Sequence, residues 1–265
     1  MAKLDKLYLG TNTKMYKDIS QTVDFLTTLR DYTAGISRDE LELFVIPSFT
    51  TLDRARISVT SEEIHLGAQN MGWESEGQFS GEVSPLMLKE VGSEIVMIGH
   101  SERRHVLGET DVMENKKVLC ALKFGLIPLL CIGETGDEKA MGISDEVLRT
   151  QLKIGLHGVD LSAGGELWVA YEPVWAIGVN GVPATKEYAE EKHCVIRNAL
   201  TEILGEKYGN SVPILYGGSV NPENAPGLIQ MKNIDGLFIG RSAWQSKNFS
   251  DIINTVLPLW RAKSV

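Results

Sequence analysis

Eight short apolar runs recur along the chain, and this constrains its fold more than any other feature. They occupy residues 7–12 (LYLGTN), 41–47 (LELFVIP), 64–70 (IHLGAQN) and 95–101 (IVMIGHS), then 127–134 (IPLLCIGE), 167–173 (LWVAYEP), 212–218 (VPILYGG) and 236–240 (GLFIG). Between them lie amphipathic stretches such as 22–32, 112–124 and 187–204, whose apolar residues return at three- and four-residue spacing. Continuous apolar strands belong to a parallel sheet covered on both faces, and right-handed crossovers carry each helix to the outside. Eight strand–helix units therefore predict an α/β chain closed into a (β/α)8 barrel. No Pro- or Ser-rich linker or low-complexity tract divides residues 1–265, so a single domain is expected; barrels of this length commonly form one.

Most of these strands end in polar or glycine residues: GTNTK, GAQN, GHSERR, GETG, YEP and YGGS. In a parallel barrel every C-terminal strand end lies on one face, where active sites of this architecture are built. Charge limits what that face can bind. A net charge of -9 argues against general affinity for nucleic acid or anionic membranes, so any anion must be held by a local site. The N-terminus MAKLDKLYLG has no apolar signal core and no window is long enough to span a membrane, which predicts a cytoplasmic protein. Cys120, Cys131 and Cys194 are odd in number and lack CxxC pairing, so neither a disulfide framework nor a zinc site is expected.

Four motifs, TNTKMY, IGHSERR, AYEPVWAIG and YGGSV, fall in an order and spacing that resembles the triosephosphate isomerase family from Leu7 to the last helix. The resemblance implies an isomerase that moves a proton within a small phosphorylated sugar through an enediolate, without metal or organic cofactor. It implies that Glu172 is the base and His100 the neutral electrophile at a helix N-terminus, a pairing general in this family. Lys14 would place positive charge beside the enediolate and phosphate, and Asn12 would orient oxygen atoms. Glu102 would assist proton transfer or hold Lys14, with a plain salt bridge to Arg103 or Arg104 as the alternative. Phosphate would be cradled by backbone N–H groups at Gly178, at Gly218 with Ser219, and at Gly240 with Arg241.

Taken singly, each residue has a blander reading. Glu172 alone is as readily a loop cap or an arginine partner, Lys14 a solvated lysine, and isolated glycines ordinary turns. Within the motifs the functional readings prevail, whereas His65, His105, His157 and His193 lie outside them and are expected to be structural. Residues 71–82 resemble the family's third loop, which reaches into a neighbouring subunit. A homodimer follows, with Ser80 near the partner's site; an exposed Ω-loop is the alternative.

The chain also departs from the family pattern. Thr13 stands where tryptophan is common, the lid continues as VNGVPAT (179–185), and Arg241 follows Gly240 where a small residue is usual. Arg241 has three readings: a phosphate clamp, a residue reshaping the pocket for a longer substrate, or an arginine pointing to solvent. The default expectation is the glycolytic and gluconeogenic triose reaction, between dihydroxyacetone phosphate and glyceraldehyde 3-phosphate. The alternative is an erythrulose-phosphate isomerase with the same catalytic residues. An aldolase-like lyase using a Lys14 Schiff base and a non-catalytic sugar-phosphate sensor are disfavoured by the matching glutamate and histidine.

Overall fold

A computed structural model describes residues 4–178 and 181–263. The strands are β1 (Leu7–Asn12), β2 (Leu41–Ile46), β3 (His65–Ala68), β4 (Ile95–Ile98), β5 (Ile127–Ile132), β6 (Trp168–Tyr171), β7 (Ile214–Tyr216) and β8 (Gly236–Ile239). All pair in parallel in chain order, and β8 closes on β1 through Tyr8↔Gly236 to Thr11↔Ile239. The helices are α1 (Ile19–Thr33), α2 (Leu52–Ser58), α3 (Pro85–Glu90), α4 (Ser101–His105), α5 (Asp111–Lys123), α6 (Gly136–Ala140), α7 (Ser144–Gly155), α8 (Lys186–Ser211), α9 (Ala225–Ile229) and α10 (Ser246–Arg261). Helix α8 is broken at Gly205, whose φ of 79° and ψ of 159° leave the helical region. No helix among the described residues is long and apolar enough to cross a membrane.

Because strand side chains alternate between faces, the core divides in two. Residues facing outward pack under the helices. Those facing inward fill the barrel: Phe44, Ile46, Ile95, Met97, Leu129, Cys131, Trp168, Ala170, Leu215 and Phe238. Phe44 stacks on Phe238 at 5.7 Å and meets Trp168 at 5.3 Å, offset and tilted as ring quadrupoles prefer. This plug is a solid floor for the C-terminal rim.

Behind β4, helix α5 buries an unusual set of charges. Glu109 accepts hydrogen bonds from Arg103 Nη2 (2.6 Å) and Lys117 Nζ (2.5 Å), and Lys117 also reaches Asn70 Oδ1 at 2.8 Å. The Glu114 carboxyl is wholly buried near Glu109, and neither of its oxygens has a hydrogen-bond partner among the described residues, so a charge there is costly. Burial, reinforced by Glu109 and only partly offset by Arg104 and Lys117, pushes the pKa of Glu114 up to about 7 from its ordinary 4.5. Protonated Glu114 therefore contributes stability that is complete below about pH 4.5 and is lost as pH rises through 7, about 3 kcal/mol in all. Glu114→Gln keeps a donor without the titration. Urea unfolding should show the stability of the variant relative to the native chain rising by about that amount from pH 5 to pH 8. Parallel curves at the two pH values would contradict a proton held on Glu114 by burial.

Candidate active site

The polar strand ends converge as the barrel requires. A cavity of about 300 Å³ at the C-terminal rim is lined by Asn12, Lys14, His100, Glu172, Gly178, Gly218, Ser219, Gly240 and Arg241, among others. Of the ten residues expected from sequence, nine line it directly. The tenth, Glu102, reaches it through Lys14.

Glu172 follows β6 and is only 3% exposed. Its N–H donates to Ile132 O at 2.7 Å, which ties it to β5, and its Oε2 accepts the Ser101 N–H at 3.3 Å. Two close approaches make this placement possible. A Cβ on Gly133 would stand 1.9 Å from the Glu172 carbonyl oxygen, and one on Gly217 would stand 2.8 Å from its Cγ. Beneath it Cys131 is entirely buried; burial, then the Glu172 carboxylate, push its thiol well above the usual range, so it stays neutral.

His100 caps α4, and its Nδ1 accepts the Glu102 N–H at 3.2 Å. A ring nitrogen that accepts must be unprotonated, so the neutral ring carries its proton on Nε2. That Nε2 lies 3.6 Å from Glu172 Oε1, which brings acid and base to one point. Arg104 supports the turn, donating to Gly99 O at 2.7 Å and Cys131 O at 3.1 Å.

Lys14 pairs with Glu102, Nζ to Oε1, at 2.7 Å. Arg103 and Arg104 are engaged instead by Glu109 and Asp111, so Glu102 holds Lys14 and is not their partner. Partial burial would raise the Glu102 pKa, but the Lys14 hydrogen bond and the neighbouring charges outweigh it and hold the carboxyl below its ordinary value.

The turns expected to hold an anion also border the cavity. The N–H groups of Gly218 and Ser219 have no protein acceptor among the described residues. Asn224 Nδ2 donates to Ser219 O at 2.9 Å and fixes that loop. Arg241 opens a 3-10 turn, Arg241–Ala243; it is exposed and lines the cavity, and its guanidinium makes no ion pair or hydrogen bond with a described residue. Gly178 is exposed with φ 88°, and the next two residues of the expected lid, Val179 and Asn180, lie outside the described residues. At the two edges of that segment Trp175 Nε1 and Tyr188 OH both donate to the buried Glu134 Oε1 at 2.8 Å.

Several contributors were not singled out from sequence. Gln69 Nε2 donates to both Asn12 Oδ1 (3.1 Å) and Lys14 O (2.7 Å), and Trp244 Nε1 donates to Asn12 O at 2.9 Å. Gln69 left a trace as one of the polar strand ends. Trp244, 232 residues from Asn12, left none. Among the described residues no group of three or more His, Cys, Asp or Glu is arranged to hold a metal ion.

A buried carboxylate facing a neutral imidazole, a lysine beside them and free N–H groups across a small cavity define an isomerase that works by proton transfer on a phosphorylated substrate. The triosephosphate isomerase family model matches residues 7–256, and the chain belongs to that family. It is 48% identical over 252 residues to the L-erythrulose-1-phosphate isomerase of Rhizobium etli, covering 94% of this chain and 92% of that one. The L-erythrulose-1-phosphate isomerases of Rhizobium meliloti (43% identical, 94% and 96% covered) and Mesorhizobium japonicum (42%, 93% and 95%) are similar along their length too.

Proposed function

We propose that the chain is a cytoplasmic isomerase of a four-carbon ketose phosphate, L-erythrulose 1-phosphate, rather than of a triose phosphate. The observation that carries this reading is the near full-length similarity to three isomerases of that name, at 42–48% identity. The alternative weighed from sequence thus gains over the default.

The chemistry follows from the substrate. In a 1-phosphate of erythrulose the carbonyl is at C2, and C1 carries a phosphate ester instead of a free hydroxyl. No aldose can form at C1 by enolisation, so the carbonyl must move to C3. Glu172 removes the C3 proton while His100 Nε2–H donates to the carbonyl oxygen, giving a 2,3-enediolate. The imidazole then takes up the O3 proton, and Glu172 returns its proton to C2. The product has its ketone at C3, which numbered from the other end is erythrulose 4-phosphate. The triose reaction is the same with hydrogen in place of the distal hydroxymethyl group. Lys14 stabilises the negative oxygen, and Gly178, Gly218, Ser219, Gly240 and Arg241 receive the phosphate.

Incubation of the protein with L-erythrulose 1-phosphate in D2O tests this. Proton NMR should show erythrulose 4-phosphate with solvent deuterium at the carbon that accepted the proton. Recovery of unlabelled starting ketose alone would rule the assignment out.

Residues 71–82 we read as the contact of a homodimer, with Ser80 near the partner's site. In support, residues 76–82 are exposed and Phe79, edge-on to Trp73 at 6.0 Å, leaves a large ring at the surface. Sedimentation should give twice 29.2 kDa; a single chain mass would refute the contact.

A further inference from the structure

The turn that carries Lys14 is under conformational load. Alone among the described non-glycine residues, Lys14 has positive φ, at 53°, a region L-residues adopt only when their surroundings enforce it. Three braces do so. Asn12 Oδ1 accepts the Lys14 N–H at 2.7 Å, Gln69 Nε2 holds the Lys14 carbonyl at 2.7 Å, and the Trp244 indole N–H holds the Asn12 carbonyl at 2.9 Å. The first two come from the β1 and β3 ends of the rim. The third comes from the far end of the chain, immediately after the 3-10 turn that bears Arg241. Trp244 also lines the cavity and packs its ring against Tyr16, two residues beyond Lys14, at 4.6 Å. An indole therefore does stand beside the Asn12–Lys14 turn, although Thr13 replaces the tryptophan that is usual within the motif.

We infer that Trp244 is a positioning residue: through its N–H bond to Asn12 and its contact with Tyr16 it holds the strained Lys14 turn, linking the phosphate-binding turn after β8 to the cation that stabilises the enediolate. This rests on the isomerase reading, but not on the choice of sugar. Its assay uses whichever sugar phosphate the native protein turns over, so failure on erythrulose phosphate and failure of this inference are separate outcomes.

A double-mutant cycle tests it. Trp244→Phe keeps a ring against Tyr16 and removes the N–H; kcat should fall about tenfold, the usual cost of one lost orienting hydrogen bond. Inhibition by inorganic phosphate should stay within about twofold of native, because the phosphate seat has its own donors. In a Lys14→Met background the same substitution should have no further effect, since groups that act as one unit are not additive. Gln69→Leu, which removes a different brace, should show the same dependence on Lys14, and it serves as the second variant if Trp244→Phe folds poorly. A merely structural tryptophan would lower active fraction and phosphate binding together and would act equally with and without Lys14. That result, or unchanged kcat in Trp244→Phe, would overturn the inference.

Discussion

Glu172→Gln is expected to lower kcat by about 10³-fold, within the span measured for positioned general bases, while leaving the fold intact. The amide is isosteric. It can still accept the Ser101 N–H and occupy the space that Gly133 and Gly217 leave open, so nothing in the surrounding packing is disturbed. What it cannot do is take a proton from carbon. Because the proton moves only in the transition state, the loss should fall on kcat and leave KM nearly unchanged. Steady-state kinetics with circular dichroism as the folding control would show this; a variant keeping more than a tenth of native kcat would remove Glu172 from the role of base.

Arg241→Gly, which restores the small residue usual at that place, should act on the other parameter. Of the cations around the cavity, Lys14 is already paired with Glu102 at 2.7 Å, whereas the Arg241 guanidinium has no partner among the described residues. It is therefore the free charge available to a phosphate dianion, and its planar fork suits that anion. A hydrogen bond to a charged group contributes about 1.5–3 kcal/mol, so KM should rise by about 10- to 100-fold. The phosphate does not react, so kcat should change little. Because Arg241 is exposed, the native kcat/KM should also fall more steeply with added salt than that of the variant. An unchanged KM would leave Arg241 as a solvent-facing residue without a part in binding.

The barrel could be read from sequence because burial on both faces leaves parallel strands as continuous apolar runs. The bounds of β1 coincide with the expected 7–12, and the other seven strands lie inside the expected runs, which also took in the polar residues of the loops. Helices α6 and α9 were not visible, because at five residues each they are too short for a 3.6-residue period to repeat; α4, equally short, was expected only through the resemblance that puts His100 at a helix N-terminus. The expected helix over 187–204 stops where Gly205 breaks α8, a glycine effect that apolar spacing alone does not report.

Legibility of the site followed chain distance. Glu172, His100, Lys14 and the glycine turns sit in compact motifs at strand ends, where local order predicts location. The partner of Glu102 was left open because Lys14 is 88 residues away, while Arg103 and Arg104 are adjacent in sequence but turn toward Glu109 and Asp111. Trp244 was missed for the same reason in stronger form: closure of β8 on β1 brings the two ends of the barrel together, and no local pattern records that contact. The charge set around Glu114 was hidden by its residue types, since Glu and Lys on a helix ordinarily face water.

One measurement bears most directly on the substrate: kcat/KM of the purified protein on L-erythrulose 1-phosphate and on glyceraldehyde 3-phosphate, side by side, with Glu172→Gln as the blank. A four-carbon isomerase should reach about 10⁴ M⁻¹s⁻¹ or more on the ketose phosphate and at least about tenfold less on the triose. Efficient triose turnover, with erythrulose phosphate no better than the blank, would contradict it and make the chain a triosephosphate isomerase in activity as well as in family.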